Sequence, residues 1–129
     1  MAGRATTGWT ALPHPSGVTF DEHTERVHVA CTRNPNEIVT LSAVRADVDA
    51  ARRVLFPERT MVFPGRCYIH DLAMIRGRLH ANAVGLNAVV ALGATDVRPV
   101  WWPRVMDAGG RPRAERNYIQ FHSIAARCS

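Results

Sequence analysis

Two histidines, His70 and His122, stand 52 residues apart, and each opens a similar tetrapeptide, His70-Asp71-Leu72-Ala73 and His122-Ser123-Ile124-Ala125. Imidazole nitrogen and carboxylate oxygen are standard ligands of divalent metals, so His70, Asp71 and His122 form a candidate metal-binding set, with the two histidines as its core. Asn82 and Asn87 add amide oxygens of the kind that suits a hard cation. Trp102, within Trp101-Trp102-Pro103, offers a flat aromatic face on which a sugar or base can stack. Each of these residues also has a plainer explanation. The histidines can satisfy neighbouring backbone, Asn87 and Asn36 occupy matching turn positions, and one tryptophan can pack between layers while the other covers an edge. His28 and His80 also recur one interval apart, and alternation along a strand makes them outward-facing.

Nucleophilic chemistry finds less support. Cys31, Cys67 and Cys128 are odd in number and show no Cys-x-x-Cys spacing, which indicates neither a disulfide framework nor a zinc knuckle. Cys67 lies three residues before His70, but reactivity needs a depressed thiol pKa and a positioned base. No serine lies in a Gly-x-Ser-x-Gly elbow, and Gly109-Gly110 lacks the lysine of a phosphate loop. No cofactor is expected, except a divalent metal if the histidine set is real.

The chain carries sixteen basic against eleven acidic residues, a net charge of +5, with 47% hydrophobic and 21% charged residues. These fractions fit a compact globular domain. Every basic residue is arginine, and the arginines are scattered from Arg4 to Arg127 rather than gathered on one segment, which argues against a nucleic-acid footprint. No apolar run has the length of a membrane span or signal peptide, and the reducing cytoplasm is the expected compartment.

What must position the candidate residues is a repeating β unit. Val27 to Leu41 aligns with Leu79 to Leu92 if Pro35 counts as a one-residue insertion, and the offset of 52 matches that between His70 and His122. Within each unit the runs are short, rich in β-branched residues and separated by turn formers: Arg26–Cys31, an Asn/Pro turn, and Glu37–Leu41; then Ile69–Ile75, Arg76-Gly77, Arg78–Val84, Gly85–Asn87, Ala88–Leu92 and Asp96–Trp102. Four short antiparallel strands every 40 to 55 residues is the arithmetic of a β-propeller blade. The predicted architecture is all-β: about two blades and the first strand of a third. Its boundaries are a tail over 1–15, a first blade over 16–63, a second over 64–103, and a loop with the third blade's first strand over 104–129. One segment departs from the pattern. Val44, Val48, Ala51 and Leu55 are spaced 4, 3 and 4, which predicts a short helix within 43–55, with an outer strand at Arg52–Phe56 before Pro57 as the alternative.

The run Arg66-Cys67-Tyr68-Ile69-His70-Asp71-Leu72-Ala73, then Gly77-Arg78-Leu79, Asn82, Asn87-Ala88-Val89-Val90, Val100-Trp101-Trp102-Pro103 and Arg116-Asn117 to Ser123-Ile124-Ala125, resembles an uncharacterised bacterial β-propeller family. Its blades carry a Cys-His-x-His-Asp/Glu-Leu-Ala strand followed by Leu-Trp-Phe-Val-Asn-Thr and Trp-x-Pro-Pro stretches. The likeness covers about residues 64 to 126, and Tyr68 and Ala81 depart from it where a histidine and an aromatic residue are expected. It implies a propeller fold and a longer parent chain, and no activity. Two functions are therefore expected to compete. One is a non-catalytic scaffold that binds a small molecule or protein partner, including further copies of itself in a ring. The other is a metal-assisted hydrolase or lactonase at the channel mouth, built from His70, Asp71, His122 and Asn82.

Overall fold

The computed structural model describes residues 8–32, 36–46, 49–63, 67–102 and 123–125. They form two four-stranded antiparallel sheets, each a simple meander in chain order. The first contains β1 (Pro15–Asp21), β2 (Arg26–Cys31), β3 (Asn36–Ala46) and β4 (Asp49–Phe63). The second contains β5 (Ile69–Ile75), β6 (Arg78–Ala83), β7 (Ala88–Leu92) and β8 (Val97–Trp101). The all-β expectation is thus met by two blade-like sheets.

Local chemistry sets these strands. Arg76 and Gly77 both have positive φ, 51° and 70°, the backbone of a two-residue hairpin whose twist matches its strands. Asn87 takes the left-handed conformation after a 3-10 turn at Val84–Leu86, and its N–H donates to the Val84 carbonyl at 3.0 Å. Pro57 and Pro99 fall on β4 and β8, the outermost strands of their sheets, where a missing N–H interrupts no inner ladder.

The helix predicted within 43–55 does not form. Ser42, Ala43, Val44 and Arg45 instead pair with Phe56, Leu55, Val54 and Arg53, extending the β3–β4 hairpin beyond the rest of the sheet. The 4-3-4 spacing needs a core beneath it to become a helix, and none lies there: Val44, Leu55 and Phe56 are all exposed. Continuing an existing ladder satisfies the backbone at lower cost. Val48 lies outside the described residues.

The two sheets are in register with one another. β2 and β6 begin and end 52 residues apart, and each first strand carries a bulge at one matching position, Ser16 in β1 and His70 in β5. The sheets stack face to face over one cluster in which Ala30, Ile38 and Phe63 of the first sheet meet Ile69, Leu72, Ala81, Ala83, Ala88, Val90 and Leu92 of the second. Strand alternation makes this packing heterologous. Sheet one uses the face bearing His28, Ala30 and Ile38, whereas sheet two uses the face bearing Leu79, Ala81 and Val90, whose counterparts in sheet one are Val27, Val29 and Val39. Those counterparts belong to a second cluster on the far side of sheet one, with Cys31 and Leu41, partly covered by Leu12. Around it Val18, Phe20 and Val62 stay exposed.

Candidate functional site

β1 and β5 run side by side at unusually close range. A Cβ added to Gly17 would lie 2.6 Å from the Asp71 Cα and 2.9 Å from the His70 carbonyl oxygen, so only glycine permits this approach. The Ser16 hydroxyl lies 2.9 Å from the Ile69 carbonyl oxygen and 3.2 Å from that of Ala30. From β3, the Asn36 side-chain oxygen accepts the Ile69 N–H at 3.0 Å in a fully buried position. These contacts tie sheet one to the first strand of sheet two.

Asp71 extends the tie in the other direction. Its Oδ1 accepts the N–H of Leu72 at 2.9 Å, and its Oδ2 accepts the N–H of Ile124 at 2.9 Å. Both carboxylate oxygens therefore serve backbone donors. A recess of about 380 Å³ lies beside Ser16, Gly17 and Asp71. His70 sits half-buried on the bulge next to Asp71. His122 lies outside the described residues, as does all of the segment expected over 104–129 to hold a loop and a further strand except residues 123–125. Residues 123–125 are described without strand pairing of their own. Among the described residues no three His, Cys, Asp or Glu side chains converge to hold a metal ion.

The other predicted ligands are dispersed. Asn82 follows Ala81 on β6 and so faces away from the core that holds Ala81 and Ala83. It is fully buried, and among the described residues neither its amide oxygen nor its nitrogen has a hydrogen-bond partner. Asn87 is buried in the turn before β7. Trp102 packs partly buried against the inter-sheet core, while Trp101 on the edge strand is half exposed. The thiols of Cys31 and Cys67 are pushed above their ordinary range, chiefly by burial, which keeps them protonated and poor nucleophiles.

A second locus was not visible as a motif. Toward the β1–β2 and β5–β6 turns the sheets enclose a cleft of about 340 Å³. His28, Thr40, Arg59 and Met61 line it from sheet one, and Arg78, Leu79 and Leu92 from sheet two. His28, expected to face outward, is instead half-buried with its Nδ1 3.0 Å from the Thr40 hydroxyl oxygen. Burial lowers the His28 pKa; Arg26 adds to this, and Asp21 and Glu58 oppose it. The Arg59 guanidinium donates to the Ala94 carbonyl at 2.9 Å. Beside the cleft, Arg26 holds Glu58 through two hydrogen bonds of 2.6 and 2.8 Å, and the Ser42 hydroxyl donates to the same carboxylate. His80, the counterpart of His28, donates from Nδ1 to the Arg78 carbonyl at 2.9 Å. The cleft residues come from five strands and two turns, at spacings that no linear signature marks.

Comparisons with protein-family models, curated proteins and solved structures find no match to this chain.

Proposed function

We propose that this chain is a β-propeller-type scaffold of stacked blades, acting as a non-catalytic binding module rather than an enzyme. One observation carries the reading: β1, β5 and the segment at Ile124 are laced side by side through Gly17 and Asp71. Neighbouring first strands, such as β1 and β5, are what blades around a common axis require. The matched bulges and the heterologous stacking support it. Asp71, the carboxylate of the candidate metal set, accepts from two backbone donors, and its role in this reading is to join blades.

The stacking also names a partner. Sheet one's outer face, with Val18, Phe20, Val27 and Val29, is the counterpart of the sheet-two face that already packs against a blade. A second copy of this chain supplies another blade for that face, joined head to tail.

The test is thermal unfolding of the chain and of its Asp71→Ala variant, with and without Zn²⁺, Mn²⁺ and Ca²⁺. The scaffold reading expects Asp71→Ala to lower the midpoint in all conditions and the metals to leave the parent chain unmoved. A metal-dependent rise in the parent that Asp71→Ala abolishes would instead favour the metal-hydrolase reading.

A further inference from the structure

The inter-sheet cleft has the composition of a binding site for an amphiphilic anion. Its floor is apolar, from Ile38, Met61, Leu79 and Leu92, and its polar lining consists of Arg59, Arg78, His28 and Thr40. No carboxylate is among the described lining residues. The acidic groups nearest His28 are engaged elsewhere: Glu58 by Arg26 and Ser42, and Asp21 by the Thr24 hydroxyl and the His23 N–H. Arg59 spends one donor on Ala94 and keeps the rest of its guanidinium fork. Arg78 has no side-chain hydrogen bond or ion pair among the described residues. Among the described residues two cations therefore face an apolar slot that no carboxylate lines, the Asp96 carboxylate lying behind Gly93 at its rim. The volume of about 340 Å³ lies at the small end of the range of about 300–1,000 Å³ typical of ligand sites.

We propose that this cleft binds a small carboxylate with a short aliphatic tail, the carboxylate held by Arg59 and Arg78 and the tail laid over Met61, Leu79 and Leu92. Paired guanidinium groups recognise a carboxylate through charge-assisted hydrogen bonds. An apolar floor selects for a tail that free inorganic anions lack. His28 takes part through its charge. It shares the cleft with Arg59 and Arg78 and is influenced by Asp21, Arg26 and Glu58, and a bound carboxylate favours its imidazolium form. The inference rests on the reading of the chain as a binding module built from two stacked sheets.

The experiment is an NMR titration of the intact chain with octanoate, with 1-octanol and inorganic sulfate as the contrasting probes. Octanoate should shift the His28, Leu79 and Leu92 signals saturably and raise the His28 titration midpoint. Octanol and sulfate should bind at least about tenfold more weakly, since one charge-assisted contact corresponds to about a decade in affinity. Arg78→Gln, which removes no side-chain hydrogen bond or ion pair among the described residues, should weaken octanoate by about tenfold while leaving the spectrum folded. Equal response to octanoate and octanol, no saturable response, or an Arg78→Gln variant with unchanged affinity would each overturn the proposal. The exchange rate of the Ile69 amide, read in the same samples, separates two kinds of failure. A protected Ile69 with no octanoate binding defeats only the ligand assignment, whereas an unprotected Ile69 defeats the stacked-sheet scaffold beneath it.

Discussion

The Asn36 side-chain oxygen reaches from the start of β3 to accept the buried N–H of Ile69 at the start of β5, 33 residues on, at 3.0 Å. Ile69 opens the strand that carries His70 and Asp71, so this bond fixes the start of that strand against sheet one. The Asn36 Nδ2, by contrast, is buried without a partner among the described residues.

Asn36→Ala leaves the Ile69 amide buried and unsatisfied. Such a loss costs about 1–3 kcal/mol. Urea unfolding should show a lower midpoint with an unchanged slope, because the surface exposed on unfolding stays the same.

Asn82→Ala should behave in the opposite way. Asn82 is fully buried with both amide atoms unpaired among the described residues, and its counterpart in sheet one is Ala30. Removing an unsatisfied amide is expected to be neutral or stabilising by about 1 kcal/mol. A large loss of stability in calorimetry would show that the Asn82 amide is satisfied in solution.

Acid should weaken the fold through Glu58. Its pKa falls from 4.5 to about 2, first through the Arg26 hydrogen bonds and then through Ser42. A depressed carboxylate contributes stability that is present above pH 4.5 and lost as pH falls toward 2. Asp21, also lowered, adds in the same direction. Glu58→Gln should flatten the stability profile between pH 4.5 and 2, and added salt should shrink the difference, because the pair is solvent-exposed.

Phe20→Asp tests the head-to-tail partner. Phe20 is half exposed on the outer face of sheet one, so a charge there leaves the fold intact. Light scattering should give a multimer for the parent chain and a single-chain mass for the variant. A monodisperse single-chain mass for the parent would remove the second copy from the proposal.

Much of the architecture was legible because it is written locally. Arg76-Gly77 and Asn87 announce turns, and the runs Ile69–Ile75 and Ala88–Leu92 were bounded as they fold. The stretch around Val44 and Leu55 misled because a 4-3-4 apolar spacing also fits an exposed hairpin, and only the absence of a core beneath it decides. Asp71 was identified as chemically important from its type, yet its partners, the amides of Leu72 and Ile124, are backbone groups with no sequence signature. The cleft was missed for a related reason. His28, Thr40, Arg59 and Arg78 meet only through register and stacking, and a single-sequence reading has neither.

Because sheet one meets sheet two with one kind of face and is met by the other kind, the pair has a direction, like two treads of a stair. An in-frame change of a few residues between Gly17 and Asp71 would shift Gly17, Asn36 or Asp71 out of that junction, so the segment that joins the sheets tolerates substitution more readily than a change of length.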